Sequence, residues 1–299
     1  MNESTKSPLI TTGLSGLVGS TFRDAFSDSY DFVNLDVSHP TQPVDITSYS
    51  DVANAISSSS AKAIVHLAAF TDVTAAWNQT GDTSGIAYKV NVLGTQNIAR
   101  AAKEFGKHLI HISTAFVFDG TKEGLYTEQD AMNPIEWYGT TKAKAEEMVV
   151  NECEAGYWTI LRIDFPFRSQ PSPRPDIVRK NIEGMHKGYP LFSDHFFGPT
   201  YLDDFAKVLD WTVQTAGSTH SSGLLHASSG EQWSDFQLAQ ALIKTHGLAL
   251  EAKPGSLAEY LKTTQKKKKK NTAMDISKLK SVLPFELKTI EEALKLVQL

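Results

Sequence analysis

Leu9-Ile-Thr-Thr-Gly13-Leu-Ser-Gly16-Leu-Val-Gly19 is an apolar run that passes directly into three glycines spaced three apart, and Gly16–Phe26 beyond it reads as a helix. Each glycine has its own task. Gly13 permits a tight turn, Gly16 lets the backbone approach a pyrophosphate, and Gly19 lets the helix pack closely on the strand. The helix N-terminus offers N–H donors and a partial positive charge to phosphates. Ser15, Leu17 and Val18 share this turn and join the glycines as candidate dinucleotide contacts.

Outward from this loop, short apolar runs alternate with longer amphipathic stretches, the pattern of βαβ units and a parallel sheet. Strands are expected at Pro8–Thr12, Asp31–Asp36, Ala63–Leu67, Lys107–Ser113 and Trp158–Ile163, with helices at Tyr49–Ser57, Ala87–Phe105 and Tyr138–Cys153 between them. After Ile163 the pattern changes, with five prolines from Pro166 to Pro190, so a boundary is expected there. A helix at Leu202–Thr215 and a strand at Gly223–Ala227 follow, then helices at Ser234–Thr245 and Thr289–Val297. The expected fold is α/β: a Rossmann-type, doubly wound parallel sheet over residues 1–163, then a smaller C-terminal α/β substrate-binding subdomain over 164–299. Elements near 202–229 are expected to return to the first domain.

The second strand ends in Leu35-Asp36, about twenty residues past the glycines, where a carboxylate can accept hydrogen bonds from both hydroxyls of an adenosine ribose. It would repel a ribose phosphate, and no basic residue stands beside it, so NAD(H) is favoured, with NADP(H) as the alternative. Asp45 and Ile46 lie where a third strand should end; Asp45 either contacts the adenine or caps the helix before Tyr49. Leu67, Ala68 and Ala69 close the next strand with small residues against which a ribose can lie. His66, His108 and His111 read as strand packing, since alternation along a strand does not gather metal ligands, and no metal site is expected.

Tyr138-Gly-Thr-Thr-Lys142 puts a phenol and an ammonium on one helix face. The cation favours phenolate and brings the hydroxyl toward proton exchange near neutral pH, which suits carbonyl reduction: hydride reaches carbon while Tyr138 protonates oxygen. Thr114, ending the strand that precedes this helix, can hydrogen-bond the reacting oxygen, with Ser113 as its competitor.

At 299 residues, 41% hydrophobic and with a formal charge of −5, the chain has an ordinary globular composition, and no nucleic-acid partner is expected. Cys153 stands alone, so no intramolecular disulfide forms and a reducing compartment is expected; the thiol reads as packed. The N-terminus lacks a charged-then-apolar signal pattern and no apolar run approaches bilayer length, so a cytoplasmic protein without membrane contact is expected. Lys266–Lys270 reads as a solvated run, or as cations facing a substrate phosphate.

In combination these motifs resemble the extended short-chain dehydrogenase/reductases, and within them the dTDP-4-dehydrorhamnose reductase group. The resemblance lies in the glycine loop, Ala68-Ala-Phe-Thr71-Asp-Val73, Asn91-Val-Leu-Gly94-Thr-Gln-Asn97, Ser113-Thr114-Ala-Phe-Val-Phe-Asp-Gly120, Tyr126-Thr-Glu128 and Asn133-Pro134-x-x-x-Tyr138-Gly-x-x-Lys142. It implies an NAD(P)H-dependent reductase of a 4-keto sugar nucleotide with a Thr114–Tyr138–Lys142 triad. It also implies that Lys142 binds nicotinamide-ribose hydroxyls, that Asn91, Ser113, Tyr138 and Phe165 contact the cofactor, and that Thr71, Thr114, Phe116 and Phe165 contact the substrate. A homodimer is possible, as is common in the superfamily. An NAD-dependent epimerase or dehydratase is the nearest alternative, and a dinucleotide-binding regulatory subunit, such as that of methionine adenosyltransferase, is another. The chain departs from the group where Ala115-Phe116 replaces Asp-Tyr, and where Ile163-Asp164-Phe165-Pro166 replaces a Thr-Ser-Trp type run.

Overall fold

Strand His108–Thr114 is buried at all seven positions, as a strand covered on both faces must be, and it belongs to the six-stranded sheet that organises the molecule. In the computed structural model, which describes residues 6–299, the order across this sheet is Gly223–His226, Trp158–Ile163, His108–Thr114, Ala63–His66, Ser7–Thr12 and Tyr30–Leu35. Ser7–Thr12 runs parallel to both its neighbours, with Ile10 beside Val33 on one side and Ile64 on the other. Ala63–His66 and His108–Thr114 are also parallel, with His66 opposite His111. The chain leaves Ser7–Thr12 in one direction and returns on its other side. The crevice beyond the carboxyl ends of Ser7–Thr12 and Ala63–His66 is therefore the switch point at which such sheets bind ligands. This is a Rossmann-type α/β fold.

Two units make up the chain. Among the described residues the first comprises 6–113, 137–161 and 206–224, and the second 114–136, 162–205 and 225–299. The units interleave along the chain: residues 206–224 belong to the first, and the segment 114–136 falls in the second. The first unit's core gathers Ile10, Leu35, Val52, Ile56, Ile64, Ile98, Leu109, Val149 and Ile160 from strands and helices alike. Cys153 joins it, 8% exposed, and burial pushes its thiol up to about 12, which removes it from nucleophilic chemistry.

The second unit has three two-stranded sheets: Pro166–Phe167 with Thr200–Tyr201, Pro190–Phe192 with Lys253–Gly255, and Phe196–Phe197 with Trp233–Ser234. Helices Ile177–His186, Asp235–His246 and Ile290–Leu294 accompany them. A Ser234–Gln237 capping box starts the second of these helices, and Gly247, in the left-handed conformation, ends it, the sequence punctuation such a helix needs. Phe167, Val178, Phe197, Leu238, Leu242, Ile290 and Leu294 form this unit's core.

Two local expectations need correction. The helix expected over Ala87–Phe105 is broken into Ile86–Tyr88, a π-helical turn Lys89–Gly94 and Thr95–Glu104. Gly94 sits against Ile46 so closely that a Cβ there would lie 2.7 Å from Ile46 Cδ1. No strand ends at Asp45 either. Ser48 caps Tyr49–Ser57 by accepting Asp51 N–H, while Asp45 is exposed and accepts the Thr47 N–H and hydroxyl at 2.9 and 2.8 Å. Among the described residues no helix is long and apolar enough to cross a membrane.

Candidate active site

The glycine loop is built as its spacing requires. Gly13 has φ +66° and passes Ala68 so closely that a Cβ would lie 2.6 Å from the Ala68 nitrogen; only glycine meets both demands. At Gly19 a Cβ would lie 2.6 Å from Leu14 Cα, which locks the helix onto the loop. A Cβ at Gly16, by contrast, would meet only Gly13 O, at 3.3 Å. Gly16 also begins Leu17–Phe26 with no side-chain cap and no acidic residue in the first turn. An uncapped helix N-terminus beside a glycine whose approach is open fits a pyrophosphate. Asp36 follows the neighbouring strand; its carboxylate accepts the Ser38 N–H and hydroxyl at 2.9 and 2.8 Å and the Ser15 hydroxyl at 3.4 Å, tying the loop to the expected ribose acceptor. Leu17, Val18, Leu67, Ala68 and Ala69 are half-buried around the same switch point, and Thr71 is exposed.

A chain of directed hydrogen bonds fixes this edge of the sheet. Leu67 and Ala68 N–H both donate to Thr12 Oγ1, at 3.1 and 3.0 Å, so the Thr12 proton goes to His66 Nδ1 at 2.7 Å. His66 must then carry its own proton on Nε2, which reaches Thr95 Oγ1 at 3.0 Å, and Thr95 donates onward to Asn91 O. His66 is a neutral packing histidine, held down to about 3 by burial. His108 likewise engages both nitrogens, with Thr159 and Gly217. Asn91, expected at the cofactor, is 1% exposed. Its amide accepts Phe70 N–H at 2.7 Å and donates to Phe70 O and Thr141 Oγ1, so it joins the loop after Leu67 to helix Trp137–Glu152. Ile46, also expected at the cofactor, is a buried core residue.

Helix Trp137–Glu152 carries Tyr138 and Lys142. Tyr138 packs against a cluster of Ala76, Ala87 and Trp137, as Phe70 and Tyr88 do. Lys142 is 2% exposed; its ammonium donates to Ile112 O at 2.8 Å and lies 3.1 Å from His111 Nε2. Burial pulls Lys142 down to about 8, opposed by the Glu146 charge. Ser113, expected at the cofactor and as a competitor for the reacting oxygen, instead donates its hydroxyl to Glu146 at 2.5 Å. Ser113 and His111 share the strand face turned to this helix. Glu146 escaped the sequence reading, although its place one further turn beyond Tyr138 and Lys142 puts it on their face.

In the second unit Thr114 accepts Phe116 N–H at 3.2 Å, which leaves its hydroxyl proton to donate. Phe116 and Phe165, both expected at the substrate, lie 5.7 Å apart. Phe165 also packs on Phe197 and His195, and at φ +35° it is the one non-glycine residue with positive φ among the described residues, a strain of about 1–3 kcal/mol. Asp164 anchors it: Oδ2 accepts Gly198 N–H at 3.0 Å and the Thr272 hydroxyl at 2.7 Å. Its Oδ1 is buried without a partner, and burial raises its pKa to about 8. The folded protein therefore holds a proton that the unfolded chain releases above pH 4, so stability falls as pH rises from about 4 to 8. Asp164→Asn removes this term. Its Tm advantage over the wild type is expected to grow between pH 5 and 8.5 by at least ~2–4 °C, the value of about 1 kcal/mol in a protein of this size; parallel melting curves at the two pH values would refute the assignment.

Comparison with known proteins follows the same lines. The family model described as the RmlD substrate binding domain matches residues 7–298. A dTDP-4-dehydrorhamnose reductase from Aggregatibacter actinomycetemcomitans is 29% identical over 301 residues, covering 96% of this chain and 97% of that protein. The crystal structure of a dTDP-4-dehydrorhamnose reductase from Bacillus anthracis in complex with NADP superposes with a TM-score of 0.82 at 23% identity, covering 98% of this chain and 97% of that one. Methionine adenosyltransferase 2 subunit beta from Danio rerio is 30% identical over 166 residues, 54% of this chain and 50% of that protein.

Proposed function

The chain belongs to the RmlD substrate binding domain family, and we propose on that premise that it is an NAD(P)H-dependent reductase of a 4-keto sugar nucleotide. The observation that carries this reading is the pairing of Tyr138 with a buried Lys142 on one helix, beside a sheet whose uncapped loop fits a pyrophosphate. A bound reduced nicotinamide supplies the hydride. Gly13, Ser15, Gly16, Leu17, Val18 and Gly19 hold its diphosphate, Asp36 its adenosine ribose, and Leu67, Ala68 and Ala69 lie along it. Lys142 takes the nicotinamide ribose with the N–H not given to Ile112 and His111. Thr114 donates a hydrogen bond to the carbonyl oxygen, Tyr138 delivers the proton, and Phe116, Phe165 and Thr71 face the sugar. The lone, buried Cys153 supports a reducing, cytoplasmic setting, and the exposed Ile86, Leu93 and Val150 support a homodimer.

NAD(H) is the preferred cofactor because Asp36 offers acceptors to a diol and repulsion to a phosphate, with no Lys or Arg between Asn34 and Val44. The test is a thermal-shift and turnover panel of NADH and NADPH with keto sugar nucleotides. NADH is expected to stabilise more and to be consumed mole for mole with the ketone. Asp36→Ala is expected to shrink the NADH preference about tenfold, the worth of roughly 1.4 kcal/mol; a wild type that favours NADPH would refute the preference. Tightly bound NAD recycled without added reductant would instead mark an epimerase, and binding without any turnover a regulatory subunit.

A further inference from the structure

We propose that His111 is a positioning residue of the reduction: by accepting an N–H of Lys142 at Nε2, it fixes where that ammonium points and keeps it charged inside the protein. An ammonium has three donors and no acceptor. A ring nitrogen 3.1 Å from Lys142 Nζ must therefore present its lone pair, and the His111 proton resides on Nδ1. That Nδ1 is buried and has no hydrogen-bond partner. His66 commits its nitrogens to Thr12 and Thr95 and His108 to Thr159 and Gly217, whereas His111 turns Nε2 to the Lys142 ammonium.

The surroundings give this contact its leverage. Lys142 is 2% exposed and is faced by His111 and the Ile112 carbonyl from the strand, by His66 from the next strand, and by Glu146 from its own helix. His66 cannot stand in for His111, because both its nitrogens are committed. Glu146 supplies attraction at a distance while taking the Ser113 hydroxyl. Burial already holds Lys142 near the point at which it would lose its proton, at about 8. Removing an acceptor from the charged form moves that point lower. The phenol of Tyr138 then loses its neighbouring cation, so reduction, which needs the charged lysine, fails at a lower pH.

The effect on turnover rests on the reductase reading, whereas the effect on Lys142 does not, and the experiment separates them. The Lys142 titration is followed by NMR in the 15N-lysine-labelled full chain, with Lys142→Met used to assign the signal, alongside the pH profile of NADH-dependent keto-sugar reduction. In His111→Leu the Lys142 signal is expected to titrate at lower pH, and kcat to fall about fivefold more at pH 9 than at pH 7, as a drop of about one pH unit in that titration requires. His111→Gln, whose carbonyl accepts the same N–H, is expected to restore both. The imidazole 15N shifts of the wild type are expected to show the Nδ1–H tautomer, a measurement that holds even if His111→Leu does not fold. An Nε2–H tautomer, or an unchanged Lys142 titration in folded His111→Leu, overturns the proposal. If no keto sugar nucleotide is reduced, the reductase reading fails while the titration still decides the part played by His111.

Discussion

Tyr138→Phe is expected to lower kcat for keto-sugar reduction by about 10²–10⁴-fold, the usual contribution of a positioned general acid, while leaving dinucleotide affinity nearly unchanged. Hydride arriving at the carbonyl carbon leaves negative charge on oxygen, and without a donor that charge must wait for water. Among the residues assigned to the site, Tyr138 is the one with a proton to give and a cation to tune it: Lys142 lies one turn along the same helix face, buried and held against the strand. Phenylalanine keeps the ring that packs against Ala76, Ala87 and Trp137, so the variant opens no cavity and removes only the hydroxyl. Steady-state and single-turnover NADH oxidation on the same preparation, with melting temperature as the control for folding, isolates the chemical step. Near-wild-type turnover would exclude Tyr138 as the acid and move attention to Thr114, whose hydroxyl retains a proton. The loss should appear in kcat and kcat/KM together, since the interaction is made only as the oxygen gains charge.

The parts of this site legible in the sequence were those set by local geometry. Gly13 and Gly19 answer to a turn and a packing distance a few residues away, and the Tyr138–Lys142 pairing follows from helical period alone. The direction of Ser113 was not legible, because alternation places it opposite Thr114 only once the strand is known to lie against Glu146. Asn91 was expected at the cofactor because its motif suggested it, but a π-helical turn and two partners 21 and 50 residues away decide its position. His111 reads like His66 and His108 in an alternating strand, and what separates it is a partner on the flanking helix, the Lys142 ammonium. The lysine run shows the same limit most plainly. Four of its residues are exposed, as a charged run predicts, but Lys269 is 4% exposed, because its partner lies 133 residues earlier in the chain.

That partner is Glu136, and Glu136→Leu is expected to cost about 3–5 kcal/mol, the usual price of leaving one member of a buried ion pair without the other. Lys269 Nζ lies 2.7 Å from Glu136 Oε1, with the two side chains 3% and 4% exposed, and over the face of Phe116 at 4.4 Å. Burial already pulls the Lys269 pKa below its ordinary value, against the attraction of Glu136. Without Glu136 the folded state lowers that pKa further and holds fewer protons than the unfolded chain, so the variant's deficit should shrink as pH rises toward the range where free lysine titrates. Urea unfolding at pH 7 and pH 9.5 measures both the loss and its slope. The double variant Glu136→Leu/Lys269→Met should fall within about 1 kcal/mol of wild type, because it removes both charges while methionine keeps an apolar stem on the Phe116 ring. The double-mutant cycle then separates charge from packing. If the double variant is as unstable as Glu136→Leu, the loss belongs to the shape of the side chains around Phe116; if it recovers, the pair is a charge lock, and the Lys269 ammonium is the group that makes Glu136 necessary.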